Sequence, residues 1–172
     1  MAWGGRGRAP KYHARIGAPH PACEQAGAVC PTILFSMNHI FLIAHAPLAH
    51  ALRQCALHVF PDSGERVLAL DVQPNESPEV TLESARILLE HVHGSRGVLV
   101  LTDVFGATPS NVVQTLVQEP GEDGLELRAL AGVNLPMLLR AVTYAALPLP
   151  DMLERAMSGG SQGIMTVGRV PR

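Results

Sequence analysis

The sequence predicts an α/β domain built on an open, mainly parallel sheet with helices on both faces, and three observations predict it. From His39 onward, short apolar runs alternate with longer stretches of helical period, the pattern of strand–helix–strand units. Pro47, Pro78 and Pro109 each stand at the opening of a helical stretch, where a missing N–H costs nothing. Two apolar runs stop on chemically capable side chains, the first on His45 and the third on Asp103. Open α/β sheets bind ligands at the carboxyl ends of their strands, at the point where strand order reverses. A strand order beginning 2-1-3-4 sets the ends carrying His45 and Asp103 side by side.

The elements follow in order. A first strand is expected at 39–44. A helix over 47–60 has Pro47 in its first turn and Leu48, Ala51, Leu52, Cys55 and Val59 on one apolar face. The second strand is 67–72. Past the polar loop 73–76, Ser77 can cap a second helix by accepting an N–H that the first turn leaves unpaired. Val80, Ala85, Leu88, Leu89 and Val92 then face inward. The third strand is 98–101. Thr108 caps the third helix, which buries Val112, Val113, Leu116 and Val117. A fourth strand at 125–131 leads through Gly132 into a fourth helix, and a short fifth helix at 150–157 stops at Gly159 and Gly160.

A last strand is expected at 164–167, after a glycine-rich link that lets it reach a neighbouring sheet. Edge strands need cover, and exchange between two copies supplies it symmetrically, so a homodimer is expected.

Composition bounds the function. A chain of 172 residues, 47% of them hydrophobic, suits one domain that removes roughly 68–70% of its unfolded surface from water. With aromatics at 4%, Leu, Val and Ala must fill the core. A net charge of -2 excludes the clustered basic face of a nucleic-acid binder. The three cysteines form no CxxC pair, which fits a reducing cytoplasm without a disulfide framework. No apolar run reaches the roughly 18 residues of a membrane span, so no membrane insertion is expected. Residues 1–36, rich in Gly, Ala, Pro and Arg with Glu24 as the one acid, read as a disordered extension. Met37 directly precedes the first strand, so a misassigned start is an open reading, and the domain is set at 37–172.

His45 and Asp103 carry the chemistry. If one ring nitrogen donates to the carboxylate, the other is left unprotonated and free to take a phosphoryl group. The turn Gly106-Ala107-Thr108-Pro109-Ser110 then offers backbone N–H groups, the Thr108 hydroxyl and a helix start to hold the phosphoryl charge. Taken singly, Asp103 and Thr108 also fit plain turn and cap chemistry. Of the eight histidines, His45 alone ends a buried strand, so it is expected to be the only acceptor. His50 and His58 are expected to be solvated, and His91 and His93, two apart, to face different ways. Met137 and Phe105 read as packing residues. There is no HExxH, no GxxxxGK[ST] and no strand-borne GxGxxG, so neither metal nor cofactor is expected. Ser110 lies outside any GxSxG elbow.

Three motifs in order, His45 after the first strand, 101–111 and 131–138, resemble the IIA component of mannose-family phosphotransferase systems over about residues 38–168. The resemblance implies a cytoplasmic homodimer whose strand-1 histidine takes a phosphoryl group from the carrier HPr and passes it to a IIB component. By motif position that histidine is His45, the orienting carboxylate Asp103 and the hydroxyl of the phosphate-holding turn Thr108. It also implies that the exchanged final strand runs antiparallel to the partner's sheet. This chain has Ala44-His45-Ala46 where Thr-His-Gly is typical, and Gly106-Ala107-Thr108-Pro109 where Gly-Gly-Ser-Pro is typical. Similar single-domain proteins also suggest a regulatory use of the phosphoryl group. A module of the same fold that binds an anion or effector without transfer is the alternative.

Overall fold

The computed structural model describes residues 37–92, 95–119 and 124–168, so the extension expected at 1–36 lies outside the described residues. Among these residues the strands are β1 (His39–His45), β2 (Val67–Val72), β3 (Gly97–Thr102) and β4 (Glu126–Ala131). The helices are α1 (Leu48–Val59), α2 (Pro78–Glu90), α3 (Thr108–Gln118), α4 (Leu135–Thr143) and α5 (Leu149–Gln162). All strand pairs are parallel and the order is β2-β1-β3-β4, as the sequence predicts. The chain leaves β1 in one direction to make β2 and returns on the other side to make β3. The reversal point, and with it the crevice that such sheets offer to ligands, lies between β1 and β3.

Both central strands are buried on both faces, which is why they read as continuous apolar runs. Alternate residues serve opposite layers. Ile40, Leu42, Leu99 and Leu101 join a core with α1, α4 and α5, whereas Phe41, Ile43, Val98 and Val100 join one with α2 and α3. Ile40, Phe41, Leu42 and Ile43 are fully buried, each a gain of about 1.5–3 kcal/mol, so β1 is the anchor on which His45 is mounted.

The expected face of α1 is corrected. Ala49 and Ala56 are the buried residues with Leu52 packed beside them, while Leu48, Cys55 and Val59 are exposed. Two apolar stripes exist on this helix. The choice between them is made by Asp71 of β2, whose Oδ1 accepts the N–H groups of Ala49 at 2.9 Å and His50 at 3.3 Å and so fixes the rotation of the helix start. Pro47 sits at the N-cap rather than inside the first turn. Ser77 caps α2 as expected, accepting from the Val80 N–H, but Val80 itself is 56% exposed and Thr81 is buried instead.

Helix α5 does not stop at Gly159 and Gly160; it continues to Gln162 and is capped at Gly163. The two glycines are points of close approach. A Cβ on Gly159 would stand 2.9 Å from Arg140 Cβ and run into Arg140 Cγ, and one on Gly160 would stand 3.1 Å from Met137 Cβ. Gly159→Ala should therefore push α4 and α5 apart. An overpacking cost of about 1–3 kcal/mol outweighs a helix-propensity gain of at most about 1 kcal/mol. Thermal unfolding of the variant should show a lower midpoint, and an unchanged or raised midpoint would mean that the helices do not need this contact.

Residues 164–167 form no strand within the single chain. Ile164 is 81%, Met165 78% and Val167 102% exposed, with no strand beside them among the described residues. Among the described residues no helix is long and apolar enough to cross a membrane.

Candidate functional site

His45 is the last residue of β1, and Asp103 is the first residue past β3. Because Ile43 is registered with Thr102, the two residues beyond them reach the same place at the sheet edge. The His45 ring Nδ1 lies 2.7 Å from Asp103 Oδ2, and the same oxygen accepts the His45 backbone N–H at 3.0 Å. The other oxygen, Oδ1, accepts the Val104 N–H at 2.8 Å. An ionised carboxylate only accepts, so Nδ1 carries the proton and Nε2 holds a lone pair. The His45 side chain is 52% exposed while that of Asp103 is 10% exposed, a buried orienter behind an accessible ring.

Burial acts to raise the Asp103 pKa, yet the bonds from the His45 ring, the His45 N–H and the Val104 N–H, with the attraction of the ring, bring it below its ordinary value. A depressed pKa contributes stability that is present above the unfolded carboxylate value of about 3.9 and lost as pH falls through the folded value. Asp103→Asn should therefore lose less stability between neutral and acid pH than the unsubstituted protein. Denaturant titrations across that range check this, and parallel curves would remove the contribution.

The turn after Asp103 is closed by the Ala107 N–H donating to Val104 O at 3.2 Å. Gly106 stands in it at φ +84 with open space around it, so the backbone conformation alone requires glycine. Thr108 is not the cap of α3. Ala107 holds the cap position in extended geometry with no side-chain bond, and Thr108 is the first helical residue, partly buried. Ser110 is 2% exposed, and its hydroxyl accepts from Gln114 Nε2 at 3.5 Å. Gly106 and Ala107 thus lie in the turn, and Thr108 and Ser110 lie in the first turn of the helix that follows it.

The third motif supports the other two. Gly132 donates its N–H to Asp103 O at 2.9 Å and Val133 to Thr102 O at 2.9 Å, prolonging the β3–β4 pairing just far enough to fix the Asp103 backbone. Asn134 caps α4 by accepting the Met137 N–H at 3.0 Å. Met137 is in the core as expected. Phe105 is not a packing residue: it is 78% exposed, with Val104 56% exposed beside it, because the tight turn carries both outward.

A second imidazole–carboxylate pair escaped the sequence reading. His50 Nδ1 lies 2.9 Å from Asp71 Oδ2, so His50 is held rather than merely solvated. The available signal was a lone carboxylate inside the apolar run 67–72. His91 directs its Nδ1 to Ile87 O at 2.8 Å on its own helix, and His93 lies outside the described residues. Among the described residues no three His, Cys, Asp or Glu side chains are grouped to hold a metal ion.

A doubly wound sheet with an oriented imidazole at its reversal point and a glycine turn beside it defines a class of domain built to meet small anionic groups. Residues 39–157 match the family described as the PTS system fructose IIA component, EIIA-man, and the chain belongs to that family. The PTS system mannose-specific EIIAB component of Escherichia coli (strain K12) is 32% identical over 78 residues, 45% of this chain and 23% of that protein. This match therefore spans less than a quarter of that relative's length. The PTS system fructose-specific EIIA component of Bacillus subtilis (strain 168) is 27% identical over 125 residues, 71% of this chain and 82% of that protein. Among solved structures, the phosphotransferase system component EIIA from Streptococcus agalactiae superposes with a TM-score of 0.63 at 25% identity, covering 76% of this chain and 97% of that one. The mannose/sorbose-specific IIA subunit from Enterococcus faecalis, at 18% identity and TM-score 0.67 over 79% of this chain and 98% of that one, shares the fold.

Proposed function

We propose that the protein is a phosphocarrier of a phosphoenolpyruvate-dependent sugar phosphotransferase system, accepting a phosphoryl group on His45 from an HPr-type donor in the cytoplasm. The phosphoryl group then passes to a IIB component or serves regulation. The observation that carries this reading is the 2.7 Å contact between His45 Nδ1 and Asp103 Oδ2, which leaves Nε2 as the free nucleophile. In the transfer the N–P bond of the donor's phosphohistidine breaks and an N–P bond forms at Nε2. The Nδ1 proton stays on the ring, donated to Asp103, and stabilises the more positive phosphorylated imidazole. The N–H groups of Gly106 and Thr108 and the Thr108 hydroxyl receive the phosphoryl oxygens, the Ala107 N–H being held by Val104 O. The dipole of α3 supplies about 0.3–1 kcal/mol at an exposed site, so the hydrogen bonds carry most of the holding.

Incubating the purified protein with phosphoenolpyruvate, enzyme I and HPr, then mapping the acid-labile phosphoryl group, tests the proposal. One phosphoryl group on His45 supports it. An unlabelled, folded protein favours the alternative, a module of this fold that binds an anion or effector without transfer.

The same reading makes the protein a homodimer in which residues 164–167 lie antiparallel along the β4 edge of the partner. The support is a strand, β4, that among the described residues pairs with β3 alone, together with the exposure of Ile164 and Val167. Since α5 runs to Gln162, truncation after Gly163 removes the segment and spares the helix. Light scattering at micromolar concentration should give a dimer mass for the full chain and a monomer mass for the truncated one. A full-length monomer, or a truncated dimer, ends the strand-exchange reading.

A further inference from the structure

The sheet edge carries the same device twice. Asp103 accepts both the ring Nδ1–H and the backbone N–H of His45, with a third bond from the Val104 N–H. Asp71 accepts both the ring Nδ1–H at 2.9 Å and the backbone N–H at 3.3 Å of His50, with a third bond from the Ala49 N–H at 2.9 Å. In each pair the carboxylate is largely buried, 10% and 15% exposed, and the imidazole stands about half in solvent, at 52% and 57%. Each carboxylate grips its histidine by ring and backbone together, which leaves the ring little freedom to turn over. The two carboxylates come from the strands flanking β1 on either side, and Asp71 is registered with Ala44, the residue before His45.

Among the other described histidines the ring is not gripped in this way. His91 turns Nδ1 to a carbonyl of its own helix. His58 is exposed in the last turn of α1. Capping α1 needs only the backbone bonds to Asp71; the ring contact adds nothing to the cap. What it does is hold the proton on Nδ1 and present the Nε2 lone pair to solvent. We infer that His50 is a second phosphoryl-acceptor site, oriented by Asp71, and that it is open to small phosphoramidate-type donors.

The chemistry balances as it does at His45. The donor's N–P bond breaks, an N–P bond forms at His50 Nε2, the donor nitrogen leaves protonated by water, and the Nδ1 proton remains on the Asp71 hydrogen bond. One difference sets the relative rate. The N–H groups that could hold a phosphoryl group at the start of α1, those of Ala49 and His50, are already taken by Asp71. His50 therefore lacks the charge-assisted donors that the Gly106–Thr108 turn offers, and should react about tenfold more slowly than His45, the worth of roughly one such bond. The inference extends the phosphocarrier reading, but its test does not pass through His45. It revises the expectation of a single acceptor.

The experiment treats the full-length protein with potassium phosphoramidate at neutral pH and follows each histidine by 31P spectroscopy and peptide mapping. The native protein should be labelled at His45 and, more slowly, at His50, with His58 as the internal reference for an exposed imidazole that has no hydrogen-bond partner among the described residues. His45→Ala should keep the His50 label, and His45→Ala with His50→Ala should lose it. In the His45→Ala background, Asp71→Asn should slow labelling of His50 by at least about tenfold, as expected when an orienting partner is removed. Labelling of His50 no faster than His58 in the native protein overturns the inference without any variant. An unchanged rate in a folded Asp71→Asn protein overturns it as well. Failure to label His45 with the enzyme I and HPr system, by contrast, would overturn the phosphocarrier reading and leave this result standing.

Discussion

His45→Ala is expected to abolish phosphoryl transfer from phosphorylated HPr while leaving the fold intact. The side chain is half exposed and lies outside both cores, so its removal opens no cavity; surface changes of this kind usually stay within about 0.5 kcal/mol. On the proposed mechanism, however, the reaction loses its nucleophile next to the Gly106–Thr108 turn. In the proposed transfer a protein donor presents its phosphohistidine to that turn, so His50, which has no such turn beside it, is not expected to replace His45. Radiolabel carried from phosphoenolpyruvate through enzyme I and HPr should be absent from the variant. Stoichiometric labelling of a folded His45→Ala protein by this route would exclude His45 as the acceptor.

Asp103→Asn should keep the fold and slow transfer by as much as about 10⁴-fold, the loss seen when a tautomer-fixing Asp is replaced in a comparable dyad. The geometry explains why the conservative change is severe. If the Asn carbonyl oxygen faces His45, the amide NH2 is turned against the Val104 N–H, donor against donor. If the amide is flipped, its NH2 meets Nδ1 and favours the tautomer with the proton on Nε2, the very atom that must attack. Half exposure of the ring lets water replace part of the lost orientation, so 10⁴ is the upper end. Rapid-quench measurement of the transfer step decides the matter: unchanged kinetics in a folded Asn protein would remove the orienting role.

Much of the framework was legible in the sequence because it rests on local patterns. Both central strands are buried on two faces, and double burial writes itself as an unbroken apolar run such as 40–44 or 98–101. The order beginning 2-1-3-4, expected for such a sheet, sets the ends carrying His45 and Asp103 side by side, where they meet. Where the local reading failed, two local patterns competed. On α1 one apolar stripe contains Ala49, Leu52 and Ala56 and the other contains Leu48, Cys55 and Val59. Periodicity could not choose between them. At Gly159 and Gly160 the same residue type that stops a helix also permits close packing, and the partner that decides, α4, is 16 or more positions away in sequence. Thr108 looked like a cap because capping chemistry is common to Thr at such turns, whereas backbone geometry moved the cap to Ala107.

By itself the sequence determined the α/β class, the parallel order and the residues that face one another at the mouth, since these follow from burial periods and from side chains placed at strand ends. Only the tertiary structure decided how each carboxylate is used. Asp71 is the next-to-last residue of β2 and Asp103 the first past β3, and nothing local distinguishes a turn aspartate from one that grips an imidazole. That distinction depends on hydrogen bonds of about 3 Å between segments 58 and 21 residues apart, which form only when β1 is laid between β2 and β3.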